Sequence, residues 1–342
     1  MKEDEFFIST DAELIRKSGW REFVLSHPDG NFFQLPEAFD LFKKVPGYTP
    51  QMVALLRKQN NEVCGLLLSV LQQEPAFYGF LTARSIVWGG PLLKETSHAD
   101  VVLSAYKNSI RKTAIYSQFR NVFDCSHLKA SFLKQGFRYA EHLNFHVHTR
   151  VSGSDLLLGA MSKSKARQIR KGLSSASIEE STNPADTDTF YELLRKLYRE
   201  KVNKPLPPKI FFDTFRDEIA AKGLGKFLLV RHEGKIIGGI MCPVFPGKAI
   251  YEWYIAGLDK EFKEQYPSIL ATWAALACGQ KEGLMHFDFL GAGKPDADYG
   301  VRDFKAKFGG EEVNFGRFEM IHRPVLMKIG TLGLKLYKFI RR

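Results

Sequence analysis

The run from His286 to Glu312 carries the residues whose types and spacing best suit chemistry. Phe287 and Phe289 alternate with His286, Asp288 and Leu290, which predicts a short strand placing Asp288 just before the turn Gly291-Ala292-Gly293. A carboxylate there can take or position a proton if burial raises its pKa, or it can accept hydrogen bonds from the amides of the turn. Further on, Lys305 stands between Phe304 and Phe308, an ammonium set between two aromatic anchors. Such a group can meet negative charge that develops during a reaction, provided it is held ready beforehand. Its alternative is a surface lysine paired with Asp303 or Glu311. Upstream, Trp253 and Tyr254 occupy a predicted strand, Ile250 to Ile255. Side chains alternate along a strand, so only one of the two faces a cleft, and Tyr254 is the candidate.

A second feature is positive charge. Ser162 to Lys171, SKSKARQIRK, holds five basic residues and no acid. On a helix Lys163, Arg167, Arg170 and Lys171 form one stripe suited to phosphate groups. The whole chain carries a formal +11, which predicts a polyanionic partner: nucleic acid, a phosphorylated substrate or an anionic membrane surface. The end of the sequence, Val325 to Arg342, is basic and amphipathic. It suits either an anionic membrane or a docking place on its own protein, with Gly330 and Gly333 weakening an isolated helix.

Several classes are excluded. No HExxH, GxSxG, Walker A or dinucleotide fingerprint occurs. The nine histidines, His142, His146 and His148 among them, have no carboxylate or cysteine ligands at a familiar spacing, so no metal site is expected. Four cysteines, Cys64, Cys125, Cys242 and Cys278, lie far apart in apolar surroundings and read as reduced core residues. Met1 to Thr10 is acidic where a signal peptide needs a basic start, and no apolar run reaches eighteen residues. A cytoplasmic protein is expected.

The elements that must position these residues follow from periodicity. At 342 residues and 44% hydrophobic composition the chain can bury two cores. Helical spacing of Phe39, Phe42 and Val45 after Pro36 predicts a helix with Lys43 in its last turn. Apolar strands flank Gln59-Asn60-Asn61-Glu62 as a hairpin. The plan then repeats. Leu55 to Val70 has its counterpart from Leu228, Trp88 in Trp253, Val122-Phe123-Asp124 in His286-Phe287-Asp288, and Phe132 to Phe137 in Phe304 to Gly309. The offsets, about 164 to about 173 residues, suit a duplicated domain. An α/β (α+β) protein is expected, with domains at 1–150 and 151–342, each a mixed sheet flanked by helices.

With these residues in place, the chain resembles the FemA/FemB-like peptidyltransferases, which carry two tandem GNAT-type folds. The likeness rests on NFFQLPEAF, Trp88-Gly89-Gly90-Pro91, Phe132 to Phe137, Lys165 to Leu173, Phe190 to Leu194, and Asp288-Phe289 followed by Phe304-Lys305 and Phe308-Gly309. It implies transfer of an amino acid from aminoacyl-tRNA to an amine on a phosphorylated cell-envelope precursor of peptidoglycan type. Lys305 then falls where the acyl group reacts, and Lys43 helps hold the precursor diphosphate. Arg199 to Pro205 departs from the family pattern for a second diphosphate contact.

Under this likeness no resident cofactor is expected; aminoacyl-tRNA or another acyl donor is a co-substrate, bound in part by Arg167, Arg170, Lys171, Tyr254 and Phe304. Ordinary acetyltransferases of the superfamily grip coenzyme A pyrophosphate with the amides of a glycine-rich loop opening a helix. Here that loop reads Glu264-Gln265-Tyr266-Pro267-Ser268, without glycine, which disfavours tight coenzyme A binding. The alternatives are an N-acyltransferase with an acyl-CoA or carrier thioester donor, and a non-catalytic protein that binds tRNA or anionic lipid.

Overall fold

The computed structural model describes residues 5–74, 79–202 and 205–330. Along the chain come β1 (Phe6–Ser9), α1 (Ala12–Lys17), α2 (Trp20–Ser26), α3 (Pro36–Lys43), β2 (Tyr48–Arg57), β3 (Val63–Gln72), β4 (Arg84–Trp88), β5 (Leu92–Leu93), α4 (Ala99–Ile110), β6 (Tyr116–Arg120), α5 (Lys129–Lys134) and β7 (Arg138–Ala140). There follow β8 (Asn144–His148), α6 (Ser154–Ala160), α7 (Lys163–Leu173), β9 (Ser177–Glu180), α8 (Pro184–Leu197), α9 (Lys209–Thr214), β10 (Gly225–His232) and β11 (Lys235–Phe245). The last are β12 (Ala249–Tyr251), β13 (Tyr254–Gly257), α10 (Pro267–Lys281), β14 (His286–Asp288), α11 (Gly300–Ala306), β15 (Glu311–Val313) and β16 (Arg317–Ile321).

Two compact units result, each built on an eight-stranded mixed sheet. In the first the order is β1-β2-β3-β4-β6-β16-β7, with β5 beside β3. In the second it is β15-β8-β14-β12-β11-β10-β9, with β13 beside β11. The units comprise Met1–Glu141 with Phe315–Arg342, and His142–Asn314. This differs from the expected ranges of 1–150 and 151–342. The cause lies in strand pairing: β8 pairs antiparallel with β14 and β15, and β16 pairs antiparallel with β6 and β7. A linear reading assigns both strands to the wrong half. Residues 324–330 are helical, and the rest of the basic tail, 331–342, lies outside the described residues.

The cores follow the sequence pattern. In the first unit α3 starts with Pro36 at its first turn and buries Ala38, Leu41 and Phe42. Asn31 and Gln34 are buried because they close open backbone. Asn31 Nδ2 donates to Gly89 O at 2.7 Å, Gln34 Nε2 donates to Trp88 O at 2.6 Å, and Gln34 Oε1 accepts from Leu68 N at 2.7 Å. In the second unit α10 packs on β11 with Leu270, Ala271, Ala275 and Leu276 fully buried. All ten residues of β3, and all but the first of β11, are buried, as near-continuous apolar runs require. No helix among the described residues is long and apolar enough to cross a membrane.

Candidate active site

In the second unit one strand is broken at its middle. β12 and β13 both pair with β11, Val244 opposite Ile250 and Met241 opposite Tyr254, but Glu252 and Trp253 between them bulge out of the ladder. On its other edge β12 lies parallel to β14, with Tyr251 opposite Asp288, whereas β13 has no strand beside it there among the described residues. The sheet therefore forks after Tyr251 and Asp288. Glu252 and Trp253 stand at the crotch, with Glu252 N donating to Asp288 O at 2.8 Å.

Lys305 reaches this fork from α11. Its Nζ lies 2.8 Å from Glu252 Oε1 and donates to the carbonyls of Phe289 and Gly291, each at 2.9 Å. Both side chains are under 10% exposed. The pairing with Asp303 or Glu311 is not what the fold uses. An ammonium has three donors, and all three are engaged, so Lys305 fixes the fork and has no proton left for an oxyanion. Glu252 differs. Its Oε2 is fully buried with no hydrogen-bond partner, an unsatisfied acceptor at the fork. Sequence reasoning passed over Glu252; the signal was a lone carboxylate inside an apolar strand, next to a tryptophan.

Asp288 is fully buried. It accepts from Asn144 Nδ2 at 2.7 Å and Leu290 N at 2.6 Å, and its Oδ2 lies 3.1 Å from His146 Nε2. Burial pushes its carboxyl up, but the charge of His146 and these hydrogen bonds outweigh burial, and the pKa lies below the usual aspartate value. The expectation of a base with a raised pKa is thereby corrected. Its partner in the turn is Leu290 N, while Gly291 N donates to Asn144 Oδ1 at 2.8 Å. The histidines set aside for lack of nearby carboxylates also gain one, because strand pairing places Asp288 opposite His146. His146 stacks on His286 with centroids 4.6 Å apart, and ligand atoms of His146, His286 and Asp288 lie within 4.8 Å of one another. Burial and the neighbouring His146 push His286 down to about 4.

Tyr254 and Trp253 do not alternate as a regular strand requires, because the bulge intervenes. Both join one half-buried aromatic wall: Tyr254 lies 5.1 Å from Phe212, and Trp253 5.0 Å from Phe211, in edge-on contacts. Phe304 packs edge-on against Phe308 at 5.3 Å, and its face is covered by Lys165 Nζ at 3.9 Å. The anchors expected for Lys305 thus hold a different lysine, while Lys305 Nζ lies 5.0 Å from the Phe289 ring.

The basic stripe forms as expected on α7, which Ser162 caps by accepting from Lys165 N. Lys163, Arg167, Arg170 and Lys171 are exposed, and Ala166, Ile169 and Gly172 face inward. Lys171 pairs with Glu264, whereas Arg167 and Arg170 have no hydrogen-bond or ion-pair partner among the described residues. Lys43 is exposed in the last turn of α3, in the first unit. At the break between β4 and β5 of that unit, the neutral Gln34 is fully buried and bonded to backbone, in contrast to the Glu252–Lys305 pair.

The start of α10 at the mouth of the fork is capped by the chain itself. Tyr266, before α10, has a left-handed φ of 51°, and Pro267 at the first turn has no N–H. The next amide, Ser268 N, donates to Asp259 Oδ1 at 3.0 Å, and Ser268 Oγ donates to Asp259 Oδ2 at 2.6 Å. A carboxylate of the chain itself caps the helix where a bound pyrophosphate would need the amides.

A forked mixed sheet with a helix N-terminus at its mouth is the arrangement of GNAT acyltransferases, and residues 159–305 match the acetyltransferase (GNAT) domain family. These residues thus form a GNAT-type acyltransferase domain, and the fold of the chain sets two such units in tandem. In fold the whole chain is similar to FemX, at 16% identity and a TM-score of 0.68, over 95% of this chain and 100% of that one. It is also similar to a tandem GNAT protein from the clavulanic acid biosynthesis pathway, at 10% identity and a TM-score of 0.59, over 93% and 99% of the two chains. A third similar structure is the C-terminal domain of a putative lysylphosphatidylglycerol synthetase from Agrobacterium fabrum, at 13% identity and a TM-score of 0.56, over 94% and 97%. No curated protein matches the sequence.

Proposed function

We propose that the protein transfers an aminoacyl group from aminoacyl-tRNA to an amine of a peptidoglycan or other phosphorylated envelope precursor, with the fork of the second unit as the reacting centre. The observation that carries this reading is the buried pair at the fork, in which Lys305 fixes Glu252 Oε1 and leaves Oε2 unsatisfied. Attack on an ester carbonyl requires the amine to shed a proton as the C–N bond forms and the ester C–O bond breaks. Glu252 Oε2 accepts that proton, Lys305, itself anchored by the carbonyls of Phe289 and Gly291, holds the carboxylate still, and the aromatic wall of Trp253 and Tyr254 excludes water beside it. Asp288 is a positioning residue that ties Asn144, His146 and the Leu290 turn to the end of β14.

The donor assignment rests on the capped helix. Asp259 occupies the amide that a coenzyme A pyrophosphate needs, and its charge repels phosphate. The unpartnered Arg167 and Arg170 on α7 offer a phosphate-binding face for a polyanionic donor, and Lys43 is the proposed contact for the acceptor's phosphates.

The test is transfer of radiolabel from a mixed pool of charged tRNAs to muramyl-peptide precursors, with labelled acyl-CoA as the parallel donor. Label is expected to move from tRNA, and at least tenfold more slowly after Arg167→Ala/Arg170→Ala. Label moving only from acyl-CoA contradicts the donor assignment.

A further inference from the structure

The face of the second sheet that carries Asp288 gathers more donor atoms than the fork uses. Residues directly opposite one another in an antiparallel ladder point to the same side, and so do residues two apart on one strand. His286 lies opposite His148 and Asp288 opposite His146, while Glu311 lies opposite His146 from the other edge of β8. Three histidines and two carboxylates therefore share one face, a grouping that only the pairing of β14, β8 and β15 creates.

We infer that His146, His286 and Asp288 bind one divalent transition-metal ion of the zinc class. The carboxylate is set for it. Its Oδ1 accepts from Asn144 Nδ2 and from Leu290 N, which fixes the group and leaves Oδ2 3.1 Å from His146 Nε2. Four-coordinate zinc with bonds of about 2.0–2.2 Å separates its ligand atoms by roughly 3.3–3.5 Å, so this edge of the site is already near its final length. His286 supplies the third donor. Its ring stacks on His146, and the donor atoms of all three residues lie within 4.8 Å of one another. Closing on an ion pivots the His286 ring and displaces the proton between His146 Nε2 and Asp288 Oδ2.

A hydrogen bond between His146 and Asp288 accounts for one imidazole. It leaves unexplained the second, half-buried beside the same carboxylate, whose ring nitrogens have no hydrogen-bond or ion-pair partner among the described residues. Two imidazole nitrogens and one carboxylate oxygen suit zinc and its neighbours, whereas magnesium and calcium take oxygen ligands. The ion has a way in. Asp288 forms the floor, the His146 side chain is 14% exposed, and the exposed His148 and Glu311 stand at the rim. Glu311 adds negative charge there, while Lys248, a cation acting on His286, opposes binding. Three protein ligands leave a fourth position for water. The inference does not depend on the donor or acceptor proposed above, and it assigns no part to Glu252.

The experiment titrates the full chain, first stripped with a chelator, with zinc alone. One zinc per chain is expected to bind. His286→Gln is expected to bind it more weakly by at least the roughly tenfold that loss of even an outer-shell partner costs, with a melting curve showing that the variant is folded. His127→Gln, in the first unit, is expected to bind as the unmutated protein does. Crystals of the unmutated protein grown with zinc locate the ion by its anomalous scattering, so a variant that fails to fold does not decide the matter. A peak between His146, His286 and Asp288 is the expected result. No binding, an ion seated elsewhere, or equal affinity in folded His286→Gln overturns the inference.

Discussion

A Lys305→Met variant is expected to lose about 3–5 kcal/mol of the stability of the second unit, the cost of removing one partner of a buried ion pair. Methionine fills much of the same volume, so the loss arises from charge and hydrogen bonding. Glu252 is left as an uncompensated buried carboxylate whose second oxygen already lacks a partner, and the Phe289 and Gly291 carbonyls lose their donor. In a unit of this size such a loss lowers the melting temperature by roughly 10 °C. The companion variant Lys305→Met/Glu252→Leu removes both charges and is expected to recover most of the stability, since a buried pair contributes little net over apolar residues that fill the space. Urea midpoints for the two variants check this. A single variant as stable as the unmutated protein means the pair is not buried as described.

Asp288→Ala is expected to be comparably damaging, on the order of 4 kcal/mol, because the amide of Asn144, the N–H of Leu290 and the ring of His146 all lose their acceptor in a fully buried place. The same carboxylate gives a pH signature. Its folded pKa lies below its unfolded value, so it stabilises the fold above the ordinary aspartate range near 4, and that contribution is lost as pH falls through the lower folded value. His286 acts in a higher window. With a folded pKa of about 4 and an ordinary value of 6.5, it must take up a proton on unfolding, so stability declines as pH drops from about 6.5 to about 4. A plot of melting temperature against pH is expected to fall in both windows, and His286→Gln to flatten the upper one. A flat profile from pH 7 to 4 in the unmutated protein contradicts the His286 assignment, and the absence of any further fall below pH 4 contradicts that of Asp288.

Much of the fold was legible. The α/β class and the duplication follow from strand periodicity and from repeated blocks such as Leu55 to Val70 and Leu228 to Val244, and the GNAT-type sheet from the resemblance to the FemA/FemB-like family. The unit boundary was not, because β8 and β16 join sheets through pairings of long sequence separation that no local pattern announces. At the site, Lys305 and Asp288 were found by their position around the glycine turn, yet their roles shifted once partners were visible. Whether a buried lysine is saturated depends on carbonyls such as those of Phe289 and Gly291, which every sequence contains. The bulge at Glu252 hid the unsatisfied acceptor and defeated the alternation used to separate Trp253 from Tyr254. Lys165 was submerged in a basic run, although its place among Ala166, Ile169 and Gly172 marks the inward face of α7.

The central claim is that Glu252 at the fork receives the proton of the attacking amine. Glu252→Gln tests it most directly, since glutamine keeps the shape and can still accept from Lys305 through its amide oxygen, yet cannot act as a base. Single-turnover transfer at saturating donor and acceptor is the measurement, with a melting curve run beside it. The account predicts a fall of about 10²–10⁴-fold in the chemical step with the fold retained. Unchanged single-turnover rates in a folded Glu252→Gln protein would contradict it.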